Sequence, residues 1–177
     1  KYIYDNFKNN NFIKVVYEKE LKGTAGTLIE NLKFFENSDG LIIHADNITN
    51  FDLSKLIEAH KNKASKCILT MLTFESRTPS KCGIVEIDKE GILTNFYEKI
   101  ANPPSNRANG AVYVFGKEFK DFLINNQTNF FDISLDIVPK LFGKIQTFHT
   151  KDLFLDIGTP ESLMFANKKF INIQDDI

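Results

Sequence analysis

The 177-residue sequence contains no tryptophan, two cysteines and five prolines. Two cysteines exclude the dense disulfide framework of small secreted domains, and Cys67 and Cys82 lack the spacing and the nearby histidines of a zinc site. An excess of one charge sign is also missing, since 22 Lys and Arg are matched by 23 Asp and Glu. We therefore expect no general attraction to nucleic acid or to an anionic membrane surface.

Long hydrophobic runs are absent as well. No apolar stretch approaches the roughly 20 residues that a membrane-spanning helix needs, and the N-terminus lacks the zones of a signal peptide. These absences predict a cytoplasmic protein that does not act on a membrane. A hydrophobic content of 42% supplies enough apolar side chains for one sizeable core, so residues 1–177 are expected to form a single domain.

The first half of the chain alternates between strand-like and helix-like patterns. Residues 1–7 resemble the end of an amphipathic helix, and strands are predicted at 12–17, 41–43 and 67–74. A glycine-bearing loop at 23–26 precedes a predicted helix that runs to about residue 37, and the next helix starts at Asp52 as its N-cap. The continuous apolar run 41–43 favours a strand buried on both faces of a parallel sheet. This order predicts an α/β fold with helices on both faces.

The second half indicates that the sheet is mixed. Strands are predicted at 84–87, 92–93, 111–115, 145–149 and 154–155, the first two as a hairpin. A helix is expected from about Lys117 to Ile124. Residues 134–142 have a helical pattern that must kink or divide at Pro139, and Thr159 is expected to cap the last helix.

Two aspartates follow predicted strands at the places where ligands collect in open α/β sheets. Asp46 follows the apolar run 41–43, and Asp156 follows Phe154-Leu155 and precedes the turn 157–160. If the two carboxylates converge, they offer the hard oxygen ligands that Mg²⁺ prefers. The alternative is that each aspartate only caps a turn, which is common for an isolated aspartate at a strand end.

Four other segments are ambiguous from local sequence alone. Glu98-Lys99 could form only a surface ion pair. Gly23-Thr24-Ala25-Gly26 could be an ordinary turn, or it could let a base or a phosphate approach the backbone. Gly83 and the pair Asn109-Gly110 are equally ambiguous when each is taken singly.

Taken in order, seven segments resemble the sugar-1-phosphate nucleotidyltransferase family. They are LKGTAGTL at 21–28, IIHADN at 42–47, CGIVEID at 82–88, FYEK at 96–99, NGAVYVF at 109–115, DISLDIVPKL at 132–141 and FLDIGTPESLMFAN at 154–167. The resemblance covers almost the whole chain, and GTAG is most similar to the mannose-1-phosphate and heptose-1-phosphate guanylyltransferase group. It implies a Rossmann-like three-layer α/β/α fold with a mixed, mostly parallel sheet. The implied reaction transfers a nucleotidyl group from an NTP, with GTP favoured, to a sugar 1-phosphate. Its products are pyrophosphate and an NDP-sugar for surface glycan synthesis, and it uses Mg²⁺.

The resemblance also implies which residues serve this reaction. Asp46 and Asp156 match the two metal-binding aspartates, with Ala45 where the family usually has glycine. The residues that match substrate contacts are Gly23, Thr24, Ala25 and Gly26 beside the base, Gly83 near the sugar, Glu98 as acceptor for a sugar hydroxyl, and Lys99 on the sugar phosphate. Asn109 and Gly110 align approximately with a sugar-binding Asn-Ala-Gly stretch, and Ile100 replaces a proline that usually follows the lysine.

One family element has no counterpart in residues 1–177. The family begins with a strand and a Gly-rich phosphate loop of the form G-x-G-x-R-x-x-P, whereas this chain starts at Lys1 without such a sequence. We therefore expect a fold that is incomplete at the N-terminus, no turnover by these residues alone, and self-association through the sheet edge at 41–43.

Two other classes of protein remain open. One is a non-catalytic subunit of the same fold that binds sugar nucleotides or regulates a partner. The other is a metal-dependent glycosyltransferase, which would normally have Asp-x-Asp where this chain has Asp46-Asn47-Ile48.

Overall fold

The structure, a computed structural model, describes residues 2–126 and 130–174. Within these ranges the strands are β1 Gly40–Ile42, β2 Asn47–Thr49, β3 Leu69–Glu75, β4 Gly83–Ile87, β5 Leu93–Glu98, β6 Arg107–Phe115, β7 Ile145–His149 and β8 Phe154–Asp156. The α-helices are α1 Tyr2–Phe7, α2 Gly23–Glu30, α3 Leu53–Lys61, α4 Lys117–Asn125 and α5 Pro160–Gln174. None of the helices in the described ranges combines the length and hydrophobicity that a membrane span requires.

The main sheet has the strand order β5-β4-β6-β3-β7, and β1 pairs with the end of β6. The prediction of a mixed sheet is confirmed, because β3 and β7 are parallel while β6 is antiparallel to β1, β3 and β4. The expectation that most pairs are parallel is wrong for the described residues. β4 and β5 are joined by a short turn, whereas a parallel connection between neighbouring strands needs a crossover of a dozen or more residues.

Two hydrophobic cores lie on opposite faces of the central strands. Alternate residues of β6 divide between them, with Tyr113 in one cluster and Val112 and Val114 in the other. The first cluster is covered by α2, α4 and the 131–141 segment, and the second by α3 through Leu56. Helices therefore cover both faces, which confirms the three-layer α/β/α architecture.

The helix starts predicted from capping residues are present in the structure. Asp52 accepts a hydrogen bond from the backbone N–H of Ser54 at 2.9 Å and caps α3. Thr159 accepts one from the N–H of Ser162 at 3.1 Å, just before α5. The 134–142 segment divides just before Pro139 into a π-helical turn, Ile133–Ile137, and a 3₁₀ turn, Val138–Leu141. Proline has no N–H to donate and its ring crowds the preceding turn, which favours this break.

Three local expectations are corrected by the structure. Residues 12–17 are irregular rather than a strand, and Phe12 is 97% exposed, because no strand among the described residues pairs with this segment. The run 41–43 contributes to a short strand that is antiparallel to β6, and Ile43 is 42% exposed rather than buried on both faces. The 23–26 segment is the first turn of α2 rather than a loop, and that helix ends at Glu30.

Candidate active site

Asp46 and Asp156 lie next to each other at the end of a small two-stranded sheet. β2 and β8 pair antiparallel, and Asn47 is directly opposite Asp156. The N–H of Ile157 donates to the carbonyl of Asp46 at 2.8 Å, and the N–H of Gly158 donates to Asp156 Oδ1 at 2.7 Å. These bonds hold the residues of the predicted aspartate pair together although they are distant in sequence.

The two carboxylates border one open space above Gly158. A Cβ atom on Gly158 would lie 2.9 Å from Asp156 Oδ1 and 3.6 Å from Asp46 Oδ2. Both aspartates are exposed, so their oxygens are accessible to a cation and to water. No group of three or more His, Cys, Asp and Glu side chains within residues 2–126 and 130–174 is arranged to hold a metal. The pair nevertheless fits Mg²⁺, which takes one or two carboxylates and completes its shell with water and phosphate oxygens.

Glu98 and Lys99 lie together where β5 ends. Gly83 is paired with Glu98 across the β4–β5 ladder, and a Cβ on Gly83 would lie 2.7 Å from Glu98 Oε2. Lys99 has a φ of 49°, which is unusual for a residue with a side chain, and its N–H donates to the carbonyl of Cys82 at 3.1 Å. Gly83, Glu98 and Lys99 therefore form one group.

Asn109 and Gly110 lie in a bulge of β6. Met71 pairs with Tyr113 and Thr73 pairs with Asn109, so β6 has extra residues between these two pairs. Asn109 holds the bulge, because its Oδ1 accepts from the N–H of Ala111 at 2.9 Å and its Nδ2 donates to the Tyr113 hydroxyl at 2.7 Å.

The bulge is also connected to the aspartate pair. Asn47 Nδ2 donates a hydrogen bond to the carbonyl oxygen of Gly110 at 3.0 Å. Asn47 follows Asp46 in the chain and is opposite Asp156 in the ladder. Gly110 is thus linked, through the Asn47 side chain, to the backbone that carries the two aspartates.

The GTAG turn at the start of α2 rests against residues 131–133. Gly23 has a φ of 68°, and a Cβ on it would lie 2.2 Å from the carbonyl oxygen of Phe131, so only glycine fits this position. The N–H of Ala25 donates to that same carbonyl at 3.0 Å. Gly26 is also tightly placed, since a Cβ there would lie 2.9 Å from the Cβ of Lys22.

Comparison with known proteins decides the family. The profile of the nucleotidyl transferase family matches residues 2–172. The chain belongs to the nucleotidyl transferase family.

Individual relatives agree with this assignment. Glucose-1-phosphate adenylyltransferase of Clostridium perfringens (strain 13) is 29% identical over 176 residues, which are 91% of this chain and 45% of that protein. Glucose-1-phosphate adenylyltransferase of Bacillus subtilis is 30% identical over 159 residues, which are 84% of this chain and 42% of that protein. The chain thus spans less than half the length of these curated relatives.

A solved structure extends the likeness to the fold. HddC from Yersinia pseudotuberculosis, complexed with GMP-PN, superposes with a TM-score of 0.76 and 26% identity. The match covers 96% of this chain and 73% of that one. The three-layer architecture of this chain, with a mixed sheet between helices, is therefore shared with a solved structure.

Three further residues contact the candidate site residues and were not assigned a role from the sequence. Tyr113 and Ser134 both contact the Asn109 side chain, at 2.7 and 3.3 Å, and Asp132 accepts a hydrogen bond from the hydroxyl of Thr24 at 3.2 Å. Burial raises the pKa of Tyr113 to about 12, so its hydroxyl stays protonated. Asp132 is the N-cap of the Ile133–Ile137 turn, and the preference of aspartate for that position is the signal that could have identified it from the sequence.

Proposed function

We propose that this chain takes part in nucleotidyl transfer from an NTP to a sugar 1-phosphate, which yields an NDP-sugar and pyrophosphate. The observation that carries the proposal is the pairing of Asp46 and Asp156 around one open space, next to the Asn109-Gly110 bulge. In this reaction an oxygen of the sugar phosphate attacks the α-phosphorus, and the bond from that phosphorus to the bridging oxygen of the pyrophosphate breaks. The attacking oxygen is already anionic, so the protein needs to align it and to neutralise charge rather than to remove a proton.

Each end of the sugar phosphate has a proposed partner. Lys99 binds its phosphate as a point charge, and its side chain is 66% exposed and therefore available to a ligand. Glu98, 28% exposed, accepts a hydrogen bond from a sugar hydroxyl. Gly83 leaves room for the Phe96 ring and for the Glu98 carboxylate, because a Cβ there would lie 2.4 Å from Phe96 Cζ and 2.7 Å from Glu98 Oε2.

Asp46 and Asp156 are the residues proposed to hold Mg²⁺. When bound, the ion would supply positive charge to the phosphate oxygens in the transition state. The protein's own contribution is geometric. β2 and β8 keep the two carboxylates on one side, and the N–H of Gly158 holds one Asp156 oxygen in place.

The nucleotide base is proposed to lie beside the GTAG turn. Gly23 and Gly26 let this turn pack closely against Phe131 and Lys22, which fixes the backbone beside which the base is proposed to lie. GTP is the favoured nucleotide, and the complex of HddC with GMP-PN supports this choice. The adenylyltransferase relatives make ATP the comparison that any assay must include.

Pyrophosphate release tests the proposal. The full natural polypeptide that contains residues 1–177 is incubated with Mg²⁺, GTP or ATP, and mannose, glucose or heptose 1-phosphate. Asp156→Asn should lower turnover by about 10²-fold or more, because it removes one anionic ligand of the proposed cation. Asp152→Asn is the matched control, since Asp152 is exposed and close in sequence but faces Thr150 instead.

The outcomes separate the classes of protein. Turnover that depends on Asp156 but not on Asp152 supports the transferase. Binding of a sugar 1-phosphate or an NDP-sugar without turnover would favour the non-catalytic subunit. Full turnover by Asp156→Asn would remove the metal role from this residue.

A further inference from the structure

The turn 131–135 lies between the base end and the sugar end of the site. The hydroxyl of Thr24, in the GTAG turn, both accepts and donates a hydrogen bond with residues of this 131–135 turn. Thr24 Oγ1 accepts from the N–H of Ile133 at 2.9 Å and donates to Asp132 Oδ2 at 3.2 Å. A methyl group in place of this hydroxyl would leave both partners without their bond to α2.

Asp132 transmits this contact into the turn. Its other oxygen, Oδ1, accepts from the N–H groups of Ser134 at 2.7 Å and Leu135 at 3.0 Å. One carboxylate is therefore held by Thr24 on one oxygen and holds Ser134 with the other. Asp136 closes the turn from the far side, where it accepts from the N–H of Asp132 at 2.8 Å.

Ser134 in turn contacts the sugar end. Its Oγ lies 3.3 Å from Asn109 Nδ2 and 3.3 Å from the Tyr113 hydroxyl. Asn109 holds the N–H of Ala111, which has a φ of 52°. The Asn109 side chain therefore holds the bulge and also contacts Ser134. Ser134 is in turn held by Asp132.

We propose that Thr24 is a positioning residue for the sugar end of the site, acting through Asp132 and Ser134 on Asn109. This inference rests on the proposed function. It assigns to Thr24, which lies in the motif proposed to contact the base, an effect on binding of the sugar 1-phosphate. The ligand affected is a sugar 1-phosphate that contacts the Asn109-Gly110 bulge. If Thr24 acted only locally, its removal would change nucleotide binding first.

Thr24→Val is the informative variant, because valine keeps the shape of threonine and removes the hydroxyl. Thr24→Ser keeps the hydroxyl and should restore the wild-type behaviour. Thr27→Val is the matched control on the same helix, since the Thr27 hydroxyl donates to a carbonyl of α2 itself, that of Gly23, at 2.8 Å. Asp132→Asn provides a second route if Thr24→Val does not fold, because it alters the carboxylate that faces Thr24.

Two measurements are made on the polypeptide that contains residues 1–177. Calorimetry should show the Kd for the sugar 1-phosphate rising about tenfold in Thr24→Val, with the Kd for NTP changed by less than about threefold. The NMR signals of the Asn109 side-chain amide should shift in Thr24→Val and not in Thr27→Val.

An unmoved Asn109 signal, or equal losses for the two substrates, would overturn the inference. If the wild-type protein binds no sugar 1-phosphate, the proposed function fails instead. In that case the NMR comparison still decides whether Thr24 positions Asn109.

Discussion

The ammonium of Lys99 lies 3.4 Å from the carboxylate of the residue before it, Glu98. Consecutive residues of a strand normally point to opposite faces of the sheet. Here the left-handed φ of 49° at Lys99 ends β5 and brings both side chains to one place. This local turn is what allows two neighbouring residues to contact one ligand.

Two substitutions of Lys99 distinguish the contribution of its charge to binding from the contribution of its backbone conformation to stability. Lys99→Ala and Lys99→Gly should both raise the Kd for a sugar 1-phosphate by roughly tenfold, because each removes the phosphate contact. Lys99→Gly should have the higher melting temperature of the two, since glycine adopts a positive φ without strain. Lys89→Ala, at the exposed turn of the same hairpin, should leave the Kd unchanged. Calorimetry and thermal unfolding check both expectations, and a glycine variant that melts below the alanine variant would contradict the backbone argument.

Gly158 should control access of a cation to the aspartate pair. The Cβ of Gly158→Ala would lie 2.9 Å from Asp156 Oδ1 and would displace this carboxylate. We expect Mn²⁺, used as a paramagnetic substitute for Mg²⁺, to bind at least about fivefold more weakly in the variant. The circular dichroism spectrum should be unchanged, because Gly158 is exposed and has no positive φ. Unaltered Mn²⁺ affinity would show that Gly158 does not control cation binding at the aspartate pair.

The order of glycine and alanine in the β6 bulge leads to a prediction about stability. A Cβ on Gly110 would lie 3.2 Å from the carbonyl oxygen of Leu72 and 3.3 Å from the Phe154 ring, so Gly110→Ala should cost about 1–2 kcal/mol of unfolding free energy. Ala111→Gly should change it by less than about 1 kcal/mol. Relief of strain at a φ of 52° is offset by the lost methyl group and by the greater freedom of the unfolded chain. Urea unfolding measures both, and a neutral Gly110→Ala would show that the bulge can relax.

His60 should make stability depend on pH. Burial lowers the pKa of His60 below its ordinary value of 6.5, Lys63 lowers it further, and Asp39 and Glu118 oppose this change. Below pH 6.5 the unfolded chain therefore binds a proton that the folded protein resists, so the free energy of unfolding should fall as the pH drops from 7 through the folded pKa.

His60→Gln removes this contribution and should reduce the pH dependence in that window. His44→Gln serves as the comparison, because His44 is only partly buried. Urea unfolding at several pH values distinguishes the two. The same pH dependence in wild type and His60→Gln would rule out His60 as its source.

A polypeptide limited to residues 1–177 should release no measurable pyrophosphate. The family resemblance assigns the triphosphate to a Gly-rich loop that these residues do not contain, and loss of even one such donor costs about 10²–10³-fold in rate. Mass spectrometry must establish that the assayed species is 20.3 kDa. Ordinary turnover by that species would refute the expectation.

Local patterns in the sequence determined much of the secondary structure. The β4–β5 hairpin, the Asp52 and Thr159 caps and the break at Pro139 were predictable, because turn residues, caps and proline act on their immediate neighbours. The strand-like 12–17 segment was not predictable in this way, since a strand requires a partner that the segment itself cannot supply.

The tertiary structure decided how the candidate residues are arranged around the site. The sequence identified Asp46 and Asp156 as candidates, but only the pairing of β2 with β8 brings them to one space. Likewise the contact of Thr24 with Asp132 and the bulge at Asn109 depend on groups from distant segments. Such hydrogen bonds join residues far apart in the chain, so no local pattern of residue types encodes them; they exist only once both faces of the sheet are packed.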